Sequence, residues 1–159
     1  MDERLIIISD TREQLPWLFP ENLVINCRGT LKTGDYALQG DEEHFAIERK
    51  ALGDFLGTIS TGWERFLREI GRMDKFVCKV IIIEGDFSSC CFSEKGGLIV
   101  APQHNHPMVT PAFICSRVAT LTLMGVSVLF AGSASEACAL AYQIFKKRKQ
   151  EINDNGNNS

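Results

Sequence analysis

The stretch from Gly34 to Asp54 constrains the fold most, because charged and apolar side chains alternate near its centre. Successive side chains of a β-strand point to opposite faces of a sheet, so Glu48 and Lys50 are expected to share one face. Phe45 and Ile47 then point to the opposite face, where they can anchor the strand in a core. The pattern therefore predicts a strand that presents a carboxylate and an amine side by side.

Asp35 lies a hairpin's length before this strand, so a neighbouring strand can bring its carboxylate beside Glu48. Two carboxylates provide the hard oxygen ligands that Mg²⁺ prefers, and Mn²⁺ can take the same place. Lys50 at the same site can orient or deprotonate a water, or stabilise charge on a phosphate. Charged strand positions are common, so these three residues alone favour a solvent-exposed hairpin without catalytic function.

Three spaced motifs extend the pattern. The string GDYALQGDEEHFAIERKALGD, from Gly34 to Asp54, resembles the GD-x(n)-ERK-x3-D signature of the XPF-family structure-specific DNA endonucleases. The upstream ISDTRE resembles that family's DxRE strand end, and RFLREIGRM followed by VIIIEG resembles its helix-strand continuation. The resemblance runs from about Leu5 to the helix ending near Arg148. It implies an α/β fold, with a mixed central β-sheet flanked by helices in a restriction-endonuclease-like (PD-(D/E)xK) core.

The resemblance also implies an activity, that of a divalent-metal-dependent endodeoxyribonuclease acting on branched, flap or fork DNA in repair or recombination. Its implied cofactor is Mg²⁺ or Mn²⁺, and its implied metal ligands are Asp35, Glu48 and Asp10. The implied catalytic residues are Asp10, Glu13, Asp35, Glu48, Arg49 and Lys50.

Supporting roles follow for a few further residues. DNA contacts are implied for Arg12, Arg65 and Lys50, and Arg12 can alternatively brace the acidic cluster. Asp54 is expected to cap the helix that follows the strand or to orient Arg49. Without the resemblance, Arg65 belongs to an exposed basic ridge whose acidic helix neighbours pair with it.

Two other functions stay open. A catalytically inactive DNA-binding or partner-binding module can use the same fold, but such proteins lose the acidic residues that this chain retains. A junction-resolvase-like nuclease with the same core is the second alternative.

The remaining periodicity predicts the other elements. Apolar runs predict strands over 5–8, 23–27, 35–38, 77–83 and 126–130. Two helical pieces are expected after Leu52 with a break near Gly62, then a helix over 112–124 and a last helix through Lys149 capped by Ser133 or Ser135. The loop over 17–19 is expected to pack over the sheet, with an aromatic wedge facing DNA as the alternative.

Composition bounds the class of protein. With 159 residues and 45% apolar residues, the chain can form one well-cored domain, predicted over residues 1–150, and a disordered polar tail over 151–159. No apolar run is long enough for a membrane span, and no signal peptide is recognisable. The six cysteines lack CxxC spacing, which favours reduced thiols in a cytoplasmic or nuclear protein. The pair His104 and His106 is a poor metal site, since only one other histidine exists.

The charge balance limits DNA affinity. A net charge of −3 argues against a broad nucleic-acid footprint, and the only basic run, over 146–149, is equally compatible with a solvated helix end. Family members usually carry tandem helix-hairpin-helix modules that this chain has no room for. A homodimer or a helper DNA-binding protein is therefore expected to provide the additional DNA affinity.

Overall fold

A mixed six-stranded sheet forms the centre of the computed structural model, which describes residues 3–91, 93–95, 98–100 and 109–157. Its strands are β1 (Leu5–Asp10), β2 (Val24–Gly29), β3 (Tyr36–Leu38), β4 (Ile47–Ala51), β5 (Lys79–Glu84) and, after the short β6 (Ser93–Lys95) and β7 (Leu98–Val100), β8 (Val126–Phe130). The spatial order is β2-β1-β3-β4-β5-β8, and β6 and β7 form a separate two-stranded sheet.

Strand direction decides where the chemistry gathers. The pairs β1–β2, β4–β5 and β5–β8 are parallel, whereas β3 is antiparallel to both β1 and β4. Five strands therefore run one way and β3 alone is reversed. The residue before β3 consequently lies at the carboxyl ends of the other five strands, which we call the carboxyl edge.

Helices cover both faces of the sheet. They are α1 (Leu52–Ile59), α2 (Trp63–Gly71), α3 (Phe87–Cys91), α4 (Pro111–Leu123) and α5 (Ala134–Asn157). Along β5, Ile81 and Ile83 pack in the core with α1 to α4, whereas Val80 and Ile82 pack with α5. A central strand buried on both faces is typical of parallel sheets, and the predicted mixed α/β fold is confirmed.

Local sequence signals place the helix ends. The predicted break between the two helical pieces is present, because α1 ends at Ile59 and α2 begins at Trp63. Thr110 accepts a hydrogen bond from the backbone N–H of Phe113 and caps α4. Ser133 caps α5 in the same way through the backbone N–H of Glu136, one of the two predicted caps.

One segment differs from expectation, and another agrees with it. Helix α5 continues through Asn157, so residues 151–157 are helical where a disordered polar tail was expected, and an ion pair of 3.5 Å between Arg148 and Glu151 supports the extension. In the loop over 17–19, Trp17 is buried and stacks on Tyr36 with ring centroids 4.4 Å apart. The loop thus packs over the sheet, and Trp17 cannot be the DNA-facing wedge.

Three smaller expectations concern absences. All six cysteines lie in the described residues and are free thiols. None of the helices over 3–91 and 109–157 is long and apolar enough to cross a membrane. His104 and His106 lie outside the described residues.

Candidate active site

The reversed strand β3 carries Asp35 to the carboxyl edge. Gly34 has a φ of +80°, and a Cβ atom there would lie 2.6 Å from the Ala46 Cβ, so the close turn requires glycine. The backbone N–H of Asp35 donates to the Ile47 carbonyl at 2.9 Å. The backbone N–H of Arg49 donates to Asp35 Oδ2 at 2.8 Å. Asp35 is therefore fixed against β4 at the level of residues 47–49.

Glu48 and Lys50 share the face of β4 that packs against α1 and α2, as the alternation predicted. Lys50 Nζ lies 3.3 Å from Glu48 Oε1, and the two side chains are only 16–17% exposed. The same Nζ lies 5.7 Å from the ring centroid of Phe66 on α2. The ammonium group is thus held between a carboxylate and an aromatic face at the rim of the sheet.

The two carboxylates are short of positive charge. Burial, together with the negative charge of Glu48, raises the pKa of Asp35 to about 7 despite the hydrogen bond from Arg49. Burial also raises the pKa of Glu48; Lys50 opposes this shift, while Glu69 and Glu13 add to it. Two poorly solvated, mutually repelling carboxylates gain stability from a nearby cation.

This donor set fits a magnesium-type cation. Mg²⁺ is commonly bound by one or two carboxylates and completes its shell with waters and substrate phosphates. Within the described residues, no group of three or more His, Cys, Asp or Glu side chains is arranged to hold a metal ion. The protein's own contribution at this edge is therefore the pair Asp35 and Glu48.

Arg49 points to the opposite face of β4 and ties three elements together. It forms an ion pair with Glu84 at the end of β5, and its Nη1 donates to Glu13 Oε2 at 3.1 Å and to the Tyr36 hydroxyl at 3.2 Å. Burial alone would lower the pKa of Arg49, but the bonds to Glu84 and Tyr36 raise it overall. Trp17 Nε1 also donates to Glu84 at 2.8 Å. Arg49 therefore braces the site by joining β4 to the end of β5 and to Glu13.

Asp10, expected as a metal ligand, is occupied by other groups. Its Oδ1 accepts from the backbone N–H and the Nε of Arg12 at 2.9 and 2.6 Å, and its Oδ2 accepts from Arg12 Nη2 and the Leu31 N–H at 3.2 and 2.8 Å. Burial alone would raise the pKa of Asp10, but these bonds lower it to about 2. Both oxygens of the Asp10 carboxylate therefore accept hydrogen bonds from Arg12 or Leu31 in place of a metal ion.

Asp54 takes neither of its expected roles, whereas the DNA contact expected for Arg65 stays a prediction. Asp54 is exposed, and α1 follows Ala51 without a side-chain cap; Arg49, its other expected partner, is held by Glu84 and Glu13. Arg65 is 80% exposed and lies 3.2 Å from Glu69 one helical turn on, as in the basic-ridge alternative.

Sequence reasoning gave no role to several residues that the fold brings to the edge. Glu84 is the last residue of β5 and lies at the same edge, and its position was a usable signal, because the carboxyl ends of parallel strands converge. Tyr36 and Trp17 gave no such signal, since both belong to apolar stretches.

The fold is that of an α/β domain whose carboxyl edge carries two poorly solvated carboxylates. The ERCC4 domain family matches residues 6–144, and the chain belongs to this family. The structure is similar to XPF from Aeropyrum pernix, with a TM-score of 0.62 and 16% sequence identity. That match covers 88% of this chain and 64% of the XPF chain, so the two share a fold over less than two thirds of the latter. No curated protein sequence matches the chain.

Proposed function

We propose that this chain is a divalent-cation-dependent DNA endonuclease that hydrolyses phosphodiester bonds in branched DNA, such as flaps and forks. One observation carries the proposal: Asp35 and Glu48 converge at low exposure beside Lys50 in a domain of the ERCC4 family. Burying two like charges together costs stability, and a cation-dependent reaction gives that cost a function.

Asp35 and Glu48 are the residues that would hold Mg²⁺ or Mn²⁺. A bound cation would supply positive charge to the phosphoryl oxygens and lower the pKa of a nearby water. Lys50 reaches Glu48 through its Nζ at 3.3 Å, so it is placed to orient the attacking water and to offset charge on the phosphate. On the opposite face of β4, Arg49 joins the strand to Glu13 through a hydrogen bond.

The inactive-module alternative is less well supported. Such a protein has no need of buried repelling carboxylates, whereas here Asp35, Glu48 and Lys50 are all present and face one another. The raised pKa of Asp35 follows from that arrangement.

Affinity for DNA is expected to need help. The net charge of −3 gives little general attraction to phosphates, so we propose a homodimer or a helper DNA-binding protein as the partner. Sedimentation should show a species heavier than the 17.7 kDa monomer. If the chain is monomeric, its DNA binding without a partner should be weaker than about micromolar. A monomer that binds forked DNA tightly by itself contradicts this part of the proposal.

The decisive experiment compares cleavage of forked, flapped, nicked and junction DNAs in Mg²⁺, Mn²⁺ and EDTA. The parent chain should cut at least one branched substrate in the cation buffers only, and Asp35→Asn and Glu48→Gln should abolish the cut. Calorimetric titration with Mn²⁺ should show binding to the parent and weaker binding to both variants. A folded parent chain that binds no Mn²⁺ would remove the proposal.

A further inference from the structure

The contacts of Asp10 and Arg12 combine a buried carboxylate with an exposed guanidinium. The Asp10 side chain is fully buried, whereas the Arg12 side chain is 71% exposed. Arg12 nevertheless has little freedom, because its Nε and Nη2 donate to the two oxygens of Asp10 and its Nη2 also donates to the Leu31 carbonyl at 3.1 Å. Exposed arginines are usually mobile, whereas these hydrogen bonds hold the Arg12 guanidinium in a fixed orientation at the surface.

The guanidinium keeps donors for another molecule. Arginine has five N–H donors, and the three on Nε and Nη2 are committed to Asp10 and Leu31. The two on Nη1 have no acceptor among the described residues. A fixed, positively charged donor pair at a protein surface suits a phosphate oxygen.

The register of the sheet places this donor beside the candidate active site. Ser9 pairs with Tyr36, and the backbone N–H of Asp10 donates to the Asp35 carbonyl at 2.8 Å, so Asp10 and Asp35 are cross-strand neighbours with side chains on one face. Hydrogen bonding to Asp10 raises the pKa of Arg12, and the charges of Asp35 and Glu48 raise it further. Arg12 thus lies within the electrostatic reach of both proposed cation ligands.

We propose that Asp10 is a positioning residue that holds Arg12 as a phosphate clamp, so that Arg12 fixes a backbone phosphate of the DNA strand entering the Asp35–Glu48 site. This inference rests on the proposed function for the nature of the ligand. It gives Asp10 a role through Arg12 in place of direct cation binding.

The geometry distinguishes this role from simple charge attraction. Lysine keeps the positive charge but has no planar fork, so it cannot bind both Asp10 oxygens and still present a second nitrogen outward. Arg12→Lys should therefore lose nearly as much DNA affinity as Arg12→Ala. If charge alone mattered, lysine would restore binding.

The test measures DNA binding in Ca²⁺ and Mn²⁺ binding without DNA, as two separate readouts. Arg12→Ala, Arg12→Lys and Asp10→Asn should weaken binding of forked DNA by roughly tenfold, and loss of Arg12 should reduce the salt slope by about one ion. The Mn²⁺ dissociation constant of all three should stay within about twofold of the parent value, whereas Asp35→Asn should raise it by roughly tenfold or more.

Lys75→Ala is the matched control. Lys75 is an exposed cation in the turn before β5, at the amino end of that strand and away from the site, and its removal changes the net charge by the same amount. Its DNA affinity and Mn²⁺ affinity should both equal those of the parent.

Several outcomes overturn the inference. If Asp10→Asn loses Mn²⁺ affinity to the same extent as Asp35→Asn, Asp10 is a cation ligand. Arg12→Ala binding DNA as the parent does, or Arg12→Lys restoring full binding, removes the clamp. If Asp10→Asn does not fold, the two Arg12 variants decide, since that side chain is exposed. A parent chain that binds Mn²⁺ but no DNA in Ca²⁺ refutes the clamp while leaving the cation site intact. If DNA binding responds as expected but Mn²⁺ never binds, the proposed function fails instead.

Discussion

Near each end of β1, an aspartate holds an arginine through both carboxylate oxygens, and the two pairs differ in exposure. At the carboxyl edge, Asp10 is fully buried and Arg12 is 71% exposed. At the opposite end, Asp41 accepts from Arg148 Nε and Nη2 at 2.7 and 2.9 Å, and both side chains are largely buried.

The difference in exposure leads us to expect different roles for the two pairs. Arg148 joins α5 to the loop after β3 and has little surface left for another molecule. The Arg12 side chain is largely exposed and lies near two carboxylates of raised pKa. We therefore expect changes at the carboxyl edge to act on DNA and cation binding, and changes at the Asp41 end to act on stability.

The largest expected effect belongs to Lys50→Ala at the carboxyl edge. Cleavage should fall by roughly 10²-fold or more, because general-base and electrostatic contributions at such sites are each about that large. The free energy of unfolding should change by no more than about 1 kcal/mol, since Lys50 packs at the rim and fills no cavity. Cleavage kinetics and a denaturant titration check both. Cleavage at the parental rate would mean that β4 does not carry the active site.

Arg148→Ala should produce the opposite profile at the Asp41 end. It leaves the buried Asp41 carboxylate without its guanidinium, which should lower the free energy of unfolding by about 3 kcal/mol. Mn²⁺ affinity, measured where the variant remains folded, should not change. Arg12→Ala is the matched comparison: it should destabilise less, because water reaches Asp10 once the exposed side chain is removed. Equal losses for the two variants would erase the distinction between the pairs.

The pH dependence of stability tests the cost of the carboxyl edge. The pKa of Asp35 is about 7 in the folded chain and near 4 when unfolded, so the native state binds this proton more tightly. The stability that comes from protonated Asp35 is fully present below about pH 4 and is lost as the pH rises through 7. Without metal, Asp35→Asn should therefore exceed the parent in stability at pH 8, by on the order of 2 kcal/mol, and match it near pH 4.

A cation should reverse that order. Saturating Mn²⁺ stabilises whichever protein binds it in the native state, so the parent should gain melting temperature at pH 8 and Asp35→Asn should not. Thermal melts at the two pH values, with and without Mn²⁺, give four measurements for each protein. A parent more stable than Asp35→Asn at pH 8 without metal would mean that Asp35 is not a strained carboxylate.

The sequence predicts the carboxyl edge better than it predicts the Asp41 end. The shared face of Glu48 and Lys50 follows from the two-residue period of a strand, which needs no tertiary information. Asp35 beside Glu48 follows from the short hairpin spacing. The Asp41–Arg148 pair joins residues 107 apart, and no local pattern indicates such a contact. Asp41 lies in a polar stretch and Arg148 in a basic run, and both patterns are typical of solvated side chains, yet tertiary packing buries the two residues.

Asp10 shows a different limit of the sequence. Its motif places a carboxylate at the end of β1 correctly, but the acceptor pattern depends on side-chain orientation. Arg12 and Leu31 both bring donors to it, and Leu31 is 21 residues away. The motif thus predicts the position of Asp10 in the fold, whereas the hydrogen bonds determine which groups its carboxylate contacts.

The smallest expected effect is that of Arg65→Ala on α2. Arg65 is 80% exposed, and its ion pair with Glu69 spans one helical turn, an arrangement worth about 0.3–0.5 kcal/mol. Unlike Arg12, it has no buried partner to fix its guanidinium, so a substrate phosphate must immobilise it on binding. DNA affinity in Ca²⁺ should consequently fall by no more than about threefold, against roughly tenfold for Arg12→Ala measured in the same assay. A loss for Arg65→Ala as large as that for Arg12→Ala would show that exposed charge near the edge, and not the rigid Asp10–Arg12 geometry, determines how the strand is held.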